Sequence, residues 1–376
     1  MNALVQIFAT EPANAICGVC RVGHCSNSIE PIYVDNNATG RRMWNYIPEL
    51  SMLEKVVPGD MAEYVNPNSD RGPVAKELRT QLAEMEGIDR EDLLIDGSGL
   101  ERIKSLPGLV GANTIMAIRN DFPGYASGRL IGNLPFREIP CDIWDQSLSP
   151  GAAAAAVLDA DRPIVFLSMP VTNPGQTKVN LAVASAIREA NPDAWVVIDA
   201  AYRRDRQPAE DYVSYARSTP RTVYLNVAAK EFGACGARIC WMTGNKETLA
   251  KLKIDICPYP VSMHSARYLS ELAARPGLVE RIHSVQRSAA DVYRRLLPEY
   301  GFRFKSGSGP WVLVELGPEA GAIVDRLANQ HRVYVQDQTG RIEDLAGWIR
   351  ISTNVPCDAR RVVEALVASR SATKAA

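Results

Sequence analysis

The sequence has almost no net charge and lacks any long apolar run. It carries 42 Lys and Arg residues against 43 Asp and Glu residues, for a formal net charge of −1. Because this balance gives no strong field of one sign, it offers no reason to expect nucleic acid or an anionic membrane as a partner. The run of about 18 apolar residues that a membrane-spanning helix needs is also missing. These absences predict a globular protein whose partners are small molecules.

The first residues lack the features of a secretory signal. Glu11 introduces an early negative charge, and no basic stretch precedes the first apolar residues. Since a signal peptide normally begins with such a basic stretch, we expect a cytoplasmic protein. Its eight cysteines should then be thiols rather than disulfides.

Three cysteines and a histidine lie close together near the start of the chain. Cys17, Cys20, His24 and Cys25 are four soft ligands within nine residues, and such a set could bind zinc in a tetrahedral site. However, no second Cys-x-x-Cys motif follows, and nine residues form a tight loop for four tetrahedral ligands. The alternative, which we favour, is that residues 1–30 form an N-terminal arm that carries these thiols without a metal.

The rest of the chain alternates between apolar runs and stretches with helical spacing, without repeats or low-complexity linkers. Apolar runs without polar alternation indicate a parallel sheet covered by helices on both faces. The chain has 376 residues, which is more than one compact core usually covers. The predicted strands of the sheet are 93–96, 114–118, 163–170, 195–200, 222–227 and 237–244, with helices at 73–86, 124–131, 151–158 and 178–190.

A second, smaller unit is predicted towards the C-terminus. A long helix over 262–297, expected to bend near Pro276, leads into it. Its predicted strands lie near 311–315, 333–336 and 348–352, and a helix over 358–369 closes it. The overall prediction is therefore an α/β protein with a large sheet domain and a smaller α+β domain.

Residues suited to chemistry follow the carboxyl ends of several predicted strands. In an open parallel sheet these ends form one edge, and ligands bind there. The turn Gly97-Ser98-Gly99 opens a helix, whose first backbone N–H groups can bind a phosphate. The other strand ends are followed by aromatic, amide, acidic and basic side chains, namely Phe122 and Tyr125, Asn173, Asp199 and Tyr202, and Lys230. A lysine beside a strand end is usually a surface residue, but packing alone does not explain the whole set.

The order and spacing of these residues resemble the fold-type I, pyridoxal 5'-phosphate (PLP)-dependent aminotransferases of class I and II, in particular the histidinol-phosphate aminotransferase branch. The resemblance runs from about Ile32 to the C-terminus and rests on Tyr64, Asn173-Pro174-Gly175, Asp199-x-x-Tyr202, Lys230 with Arg238 eight residues later, Pro258-Tyr259-Pro260-Val261-Ser262 and Trp348-Ile349-Arg350-Ile351-Ser352. It implies an aminotransferase-like α/β fold, with a mainly parallel seven-stranded sheet in a large PLP-binding domain (61–261). The smaller domain would be built from both chain ends (31–60 and 262–376).

The same resemblance implies roles around the ring of the cofactor. Lys230 would form the Schiff base with PLP and then act as general acid and base. Asp199 would pair with the pyridinium nitrogen and so keep the ring an electron sink. Tyr202 and Asn173 would bind the phenolate oxygen, and Phe122 would stack on the ring face.

Further roles concern the phosphate of PLP and the substrate. Arg238 and the backbone amides of Ser98 and Gly99 would bind the phosphate. Tyr64 would reach the phosphate in the neighbouring subunit, which implies a homodimer with shared active sites. Arg350 would bind the carboxylate or phosphate of the substrate, because a guanidinium binds two oxygens at once.

Some of these roles have an ordinary structural alternative. Arg350 could form a salt bridge on a surface strand, and Asp199 could cap a helix while Tyr202 packs in the core. Phe122 could be a core residue, since aromatic side chains are usually buried. Tyr125 would then face the substrate in its place.

Several positions depart from the branch that the chain resembles. Gly99 stands where that branch has an acidic residue, Val227 where it commonly has a hydroxyl residue, and Ala229 where it commonly has serine. The Asn-Pro-Gly loop is one residue shorter, and Ala200 replaces a glutamate. Each lost hydrogen bond could weaken PLP binding by about 1–3 kcal/mol. We therefore expect an enzyme of specialised biosynthesis rather than a housekeeping enzyme of histidine synthesis.

Three functions stay open at this point. The first is an aminotransferase that acts on an α-amino acid or related amine carrying a carboxylate or phosphate. The second is a PLP-dependent lyase, decarboxylase or cyclase, because PLP chemistry branches according to geometry that the sequence does not reveal. The third is a binding protein that has the fold but no activity.

Overall fold

The computed structural model describes residues 32–33, 46–47, 49–50, 53, 65–69, 72–128, 132–142, 144, 147–172, 177–203, 211–307 and 309–374. Within these residues the strands are β1 (Ile32–Tyr33), β2 (Leu94–Asp96), β3 (Thr114–Ile118), β4 (Phe136–Ile139), β5 (Pro163–Ser168), β6 (Trp195–Asp199), β7 (Thr222–Val227), β8 (Cys240–Thr243), β9 (Phe304–Ser306), β10 (Trp311–Glu315), β11 (Val333–Tyr334), β12 (Gln336–Asp337) and β13 (Trp348–Ser352). The α-helices are α1 (Pro73–Glu86), α2 (Gly99–Val110), α3 (Pro150–Val157), α4 (Leu181–Ala190), α5 (Tyr212–Ser218), α6 (Ala228–Glu231), α7 (Lys246–Leu252), α8 (Met263–Ala273), α9 (Pro276–Glu299), α10 (Ala320–His331) and α11 (Pro356–Lys374).

Seven strands form the large sheet, in the order β2-β8-β7-β6-β5-β3-β4. The strands from β3 to β7 pair in parallel, whereas β8 runs antiparallel to both β2 and β7. Alternate residues of β5 enter separate cores: Val165 and Leu167 pack in one, and Ile164 and Phe166 in the other. The sheet is thus covered on both faces, and the predicted α/β fold is confirmed.

The strand order places several carboxyl ends side by side. Ser168 ends β5, Asp199 ends β6, and these two residues are partners in the sheet register. Strand β7 lies on the other side of β6 and leads directly into α6, which contains Lys230. The residues that follow the strands therefore meet at one edge of the sheet, as ligand-binding residues do in open α/β proteins.

A second sheet is antiparallel, in the order β12-β13-β10-β9, and β1 pairs in parallel with β11. Apolar residues of these strands pack with helices α9, α10 and α11 in a separate core that includes Ile32. The proposed domain boundaries at 31–60, 61–261 and 262–376 remain a prediction.

The predicted helix over 262–297 is two helices rather than one bent helix. Helix α8 ends at Ala273, and α9 begins at Pro276. Arg275 has φ −121° and ψ 70°, which are not helical angles. Proline lacks the N–H that would continue the hydrogen-bond ladder and suits the first position of a helix, so the chain restarts at Pro276.

The predicted helix over 124–131 is also different. A short 3₁₀ turn covers Pro123–Gly128, and residues 129–131 lie outside the described residues. In the part of the chain that the structure describes, none of the helices has the length and apolar character needed to cross a membrane.

Candidate active site

Lys230 lies just beyond the carboxyl end of β7, in the short helix α6. The backbone N–H of Ala228 donates to the carbonyl of Ile239 at 2.9 Å and ties this turn to the start of β8. The Lys230 ammonium lies 6.0 Å from the centre of the Tyr202 ring. Its charge also acts on Asp199, so the structure brings together the three residues that sequence analysis grouped.

Asp199 is buried at the end of β6. One carboxylate oxygen accepts a hydrogen bond from the N–H of Ala201 at 3.0 Å, and the other accepts one from the Tyr125 hydroxyl at 2.8 Å. Burial raises the pKa of Asp199, while these two hydrogen bonds and the charge of Lys230 lower it. A carboxylate held in this way favours a cationic group beside it, as a protonated ring nitrogen would be.

Tyr125 takes a different place from the one that sequence analysis expected. Only 1% of its surface is exposed, and its ring stacks on Phe166 with centroids 5.0 Å apart. Burial, followed by the negative charges of Asp199 and Asp121, raises the pKa of its hydroxyl well above the usual value. Tyr125 therefore lies behind Asp199 as a protonated hydrogen-bond donor. In this buried position Tyr125 does not reach a substrate directly, contrary to the expectation from the sequence.

Phe122 and Arg350 line the same cavity, which has a volume of about 520 Å³. Phe122 is half-buried in the loop after β3, and its ring meets Tyr125 edge-on at 5.4 Å. The cavity lies between this loop and the four-stranded sheet. Gln336 of β12 and Gln338, just after this strand, line it. Phe122 is thus not enclosed in the core.

Arg350 lies on β13 and is only 6% exposed, which excludes a place on the protein surface. Its guanidinium carbon lies 6.0 Å from the centre of the Trp311 ring. Trp311 in turn meets Tyr202 edge-on at 4.9 Å, and Tyr202 faces Lys230. An aromatic pair therefore connects the lysine with the arginine, and sequence analysis missed Trp311 because an aromatic residue in a strand usually signals only packing.

The predicted phosphate site lies where β2 leads into α2. Ser98 is the N-cap residue of α2, but its side chain makes no capping hydrogen bond, and its hydroxyl accepts one from Arg238 instead. The first backbone N–H groups of a helix have no partner within the helix and bind anions well. Ser98, Gly99 and Arg238 together are thus suited to a phosphate group.

Gly99 and Val227 are packed against each other at this site. A Cβ atom added to Gly99 would lie 2.6 Å from Cγ1 of Val227, which is closer than real carbon contacts. The two departures noted in the sequence are therefore one feature, because valine at 227 leaves no room for a side chain at 99. The phosphate would be held here by backbone, Ser98 and Arg238 rather than by further side chains.

Some predicted residues lie outside the described residues. These are Tyr64 and Asn173 and the cluster of Cys17, Cys20, His24 and Cys25. Their roles stay predictions. Among the residues that the structure does describe, no group of three His, Cys, Asp or Glu side chains could hold a metal ion.

The fold and the site define a PLP-dependent enzyme: a lysine amine beside a buried carboxylate, and a helix start suited to phosphate at the same sheet edge. Residues 70–366 match the family model for aminotransferase class I and II. The chain belongs to this family. The predictions of fold, cofactor and enzyme class are confirmed.

Similar proteins agree with this assignment. The chain is 28% identical over 304 residues to a histidinol-phosphate aminotransferase of Xanthomonas campestris pv. campestris (strain 8004), covering 78% of this chain and 83% of that protein. It is also 28% identical over 250 residues to an aromatic amino acid aminotransferase of Nocardia farcinica (strain IFM 10152), covering 64% and 68%.

The crystal structure of histidinol-phosphate aminotransferase from Sinorhizobium meliloti in complex with PLP has the same fold. It aligns with a TM-score of 0.77 at 18% identity, over 99% of this chain and 98% of that one.

Proposed function

We propose that this enzyme transfers an amino group from an amine substrate whose carboxylate or phosphate is bound by Arg350. The observation that carries the proposal is the placement of Lys230 and Asp199 at the ends of neighbouring strands. When bound, PLP supplies a conjugated ring that delocalises the electron pair left when a bond at the amino-bearing carbon breaks. The residues around it then decide which bond breaks and where protons go.

Lys230 is the residue proposed to hold PLP and to move the proton at the reacting carbon. A lysine amine held beside the reacting carbon can take up a proton there and return it at another atom. Tyr202, whose ring faces Lys230, would donate its hydroxyl to the ring oxygen of PLP together with Asn173. Asp199 would keep the ring nitrogen protonated, because a buried carboxylate is stabilised by a positive charge beside it.

The remaining contacts of PLP would come from both ends of the site. Ser98, Gly99 and Arg238 would bind its phosphate. Two observations support this: the Ser98 side chain does not cap the start of α2, and Arg238 donates a hydrogen bond to Ser98. Phe122 would lie against the face of the ring. Tyr64 would complete the phosphate site of a neighbouring subunit, so we propose a homodimer with shared active sites.

Arg350 is proposed as the anion-binding residue for the substrate. Burial makes its interaction with a carboxylate or phosphate less screened than at the surface. The cavity beside it combines apolar walls, such as Phe122 and Ile342, with the amides of Gln336 and Gln338. This mixture suits an amino acid side chain with both apolar and polar parts. A cytoplasmic location and a role in specialised biosynthesis belong to the same proposal.

Product analysis tests this function. The PLP-loaded protein is mixed with a panel of amino acids and amino-alcohol phosphates plus a 2-oxo acid, and products are identified by mass spectrometry. The proposal predicts that the donor becomes an oxo compound while the 2-oxo acid becomes an amino acid in equal amount. Lys230→Ala should lose this exchange, whereas Lys251→Ala, an exposed lysine on α7, should retain it.

Release of carbon dioxide, ammonia or a substituent without amino exchange would instead establish a lyase or decarboxylase. A protein that binds PLP but converts none of the panel would contradict the proposed substrate class.

A further inference from the structure

Four buried polar side chains form a continuous chain behind the site. The Tyr125 hydroxyl lies 2.8 Å from Asp199 Oδ2 and 2.7 Å from Ser168 Oγ. Ser168 Oγ in turn lies 3.0 Å from Asp121 Oδ1. All four residues are less than one-tenth exposed, at 7% for Asp199, 1% for Tyr125, 2% for Ser168 and 8% for Asp121.

The hydrogens of this chain can be counted. Three oxygen–oxygen contacts at hydrogen-bond distance need three hydrogens, but the two hydroxyl groups supply only two. If both carboxyl groups were ionised, one contact would bring two lone pairs together in a buried place, which is costly. The chain is satisfied when one of its two carboxyl groups carries a proton.

The extra proton has two possible places. With the proton on Asp121, every hydrogen points towards Asp199, and Asp199 is ionised. With the proton on Asp199, every hydrogen points towards Asp121. The two states interconvert when each hydrogen moves to the next oxygen, so that one carboxyl O–H bond breaks, another forms, and the total charge stays the same.

The two ends of the chain lie in different surroundings. At one end, Asp199 interacts with Lys230 and with the buried thiol of Cys240. At the other end, Asp121 lines the cavity of about 520 Å³ together with Glu138, Arg341 and Arg350. Asp121 Oδ1 also accepts a hydrogen bond from the N–H of Phe122 at 2.8 Å, which supports a negative charge there. A positive charge near one carboxyl group favours its ionised form and so moves the proton to the other carboxyl group, and a negative charge does the opposite.

We propose that Asp121, Ser168 and Tyr125 form a proton relay that joins Asp199 to this cavity, with one proton shared between the two carboxyl groups. The inference rests on the proposed function only in taking Asp199 as the partner of the ring nitrogen. In the PLP-free protein the proton resides on Asp199, because the N–H of Phe122 and the arginines of the cavity favour the ionised form of Asp121. The protonated ring nitrogen of PLP would add a positive charge beside Asp199, and the proton would then move to Asp121. Asp199 would thus be ionised when PLP is bound, while the net charge of the two carboxyl groups stays the same.

Infrared spectroscopy tests the relay, because a protonated carboxyl group has a carbonyl stretch of its own. The wild-type protein should show one such band without PLP and one at a shifted frequency after PLP is added. Asp199→Asn should remove the first band. Asp121→Asn should remove both bands, because its amide N–H supplies the third hydrogen of the chain and leaves Asp199 ionised.

Tyr125→Phe separates the relay from simple packing, because it removes only the connecting oxygen. This variant should not show the shifted band on loading with PLP, since no proton can reach Asp121. Ser168→Ala should do the same and serves if Tyr125→Phe fails to fold. Tyr293→Phe makes the same chemical change elsewhere, at a buried tyrosine in the separate core that includes Ile32, and should behave as wild type.

Two results would overturn the relay. One is the absence of any protonated carboxyl band in the PLP-free protein at neutral pH. The other is the appearance of the shifted band on loading in Tyr125→Phe and Ser168→Ala, because the proton would then reach Asp121 without the connecting oxygens. Because the first measurement needs no cofactor, failure of the protein to bind PLP would contradict the proposed function and leave the shared proton to be decided by the PLP-free spectra.

Discussion

Two regions beside Lys230 differ in burial. On the ring side, Asp199 is buried and accepts hydrogen bonds from Tyr125 and Ala201. On the phosphate side, Arg238 is exposed and donates a hydrogen bond to the half-buried Ser98. The ring side is made of side chains fixed in a low-dielectric environment. The phosphate side relies on a helix start and on one exposed arginine. Buried charges interact strongly, while exposed charges are screened by water and salt. From this difference we expect the ring side to contribute most of the cofactor binding.

The largest effect is expected from the ring side. Asp199→Asn removes the charge that would pair with the ring nitrogen but keeps the shape of the side chain. A hydrogen bond to a charged group is worth about 1.5–3 kcal/mol, so PLP should bind on the order of 10- to 100-fold more weakly. Titration of the PLP-free protein, followed by absorbance, measures this. Unchanged affinity would show that Asp199 does not face the cofactor.

A smaller effect is expected from the contact between Gly99 and Val227. Gly99→Ala would place a methyl group 2.6 Å from Cγ1 of Val227, and such overpacking typically costs about 1–3 kcal/mol of folding free energy. Adding Val227→Ala should restore part of the loss, because it removes the atom that clashes. Urea unfolding of the single and double variants measures this coupling. Additive losses would mean that the two residues are independent.

A still smaller effect is expected from Arg238 on the exposed side. Arg238→Ala should weaken PLP binding by about 1 kcal/mol or less, since exposed ion pairs contribute little. The loss should shrink further as salt rises, unlike the loss in Asp199→Asn. Titrations at low and high salt measure this, with Arg303→Ala, an exposed arginine paired with Glu315, as the matched control. An Arg238 effect larger than that of Asp199 would reverse the comparison.

The smallest effect concerns stability against pH in the PLP-free protein. Because burial raises the folded-state pKa of Asp199, the unfolded chain loses this proton first as pH rises. The stability that Asp199 contributes is therefore fully present below its unfolded-state pKa of about 4. The free energy of unfolding then falls as pH rises through the folded-state pKa.

Urea unfolding across this range measures the slope. Asp199→Asn should flatten it, while Asp325→Asn, an exposed acid on α10, should not. Equal slopes in wild type and Asp199→Asn would contradict a raised pKa.

Much of the ring side could be predicted because it depends on where strands end. An apolar run followed by Asp199, and another followed by Lys230, indicate a shared sheet edge before any coordinates are known. The direction of a side chain within a turn is not visible in this way. Tyr125 follows its strand as expected, yet the 3₁₀ turn aims its hydroxyl behind Asp199.

The phosphate side is harder to predict because its main feature is a contact between two residues, Gly99 and Val227, that lie far apart in the sequence. The contact between Gly99 and Val227 depends on how α2 packs against β7, which no local pattern specifies. Ser168 was missed for a related reason. A serine at the end of a buried strand gives no signal of its partners until the neighbouring loop is placed.

Chemical trapping of PLP tests whether Lys230 holds the cofactor. The PLP-loaded protein is treated with borohydride, which fixes the cofactor to the amine that holds it, and the digested peptides are identified by mass spectrometry. The modified peptide should contain Lys230, and Lys230→Ala should yield no modified peptide at this position. Modification of another lysine in the native protein, with Lys230 left unmodified, would contradict it.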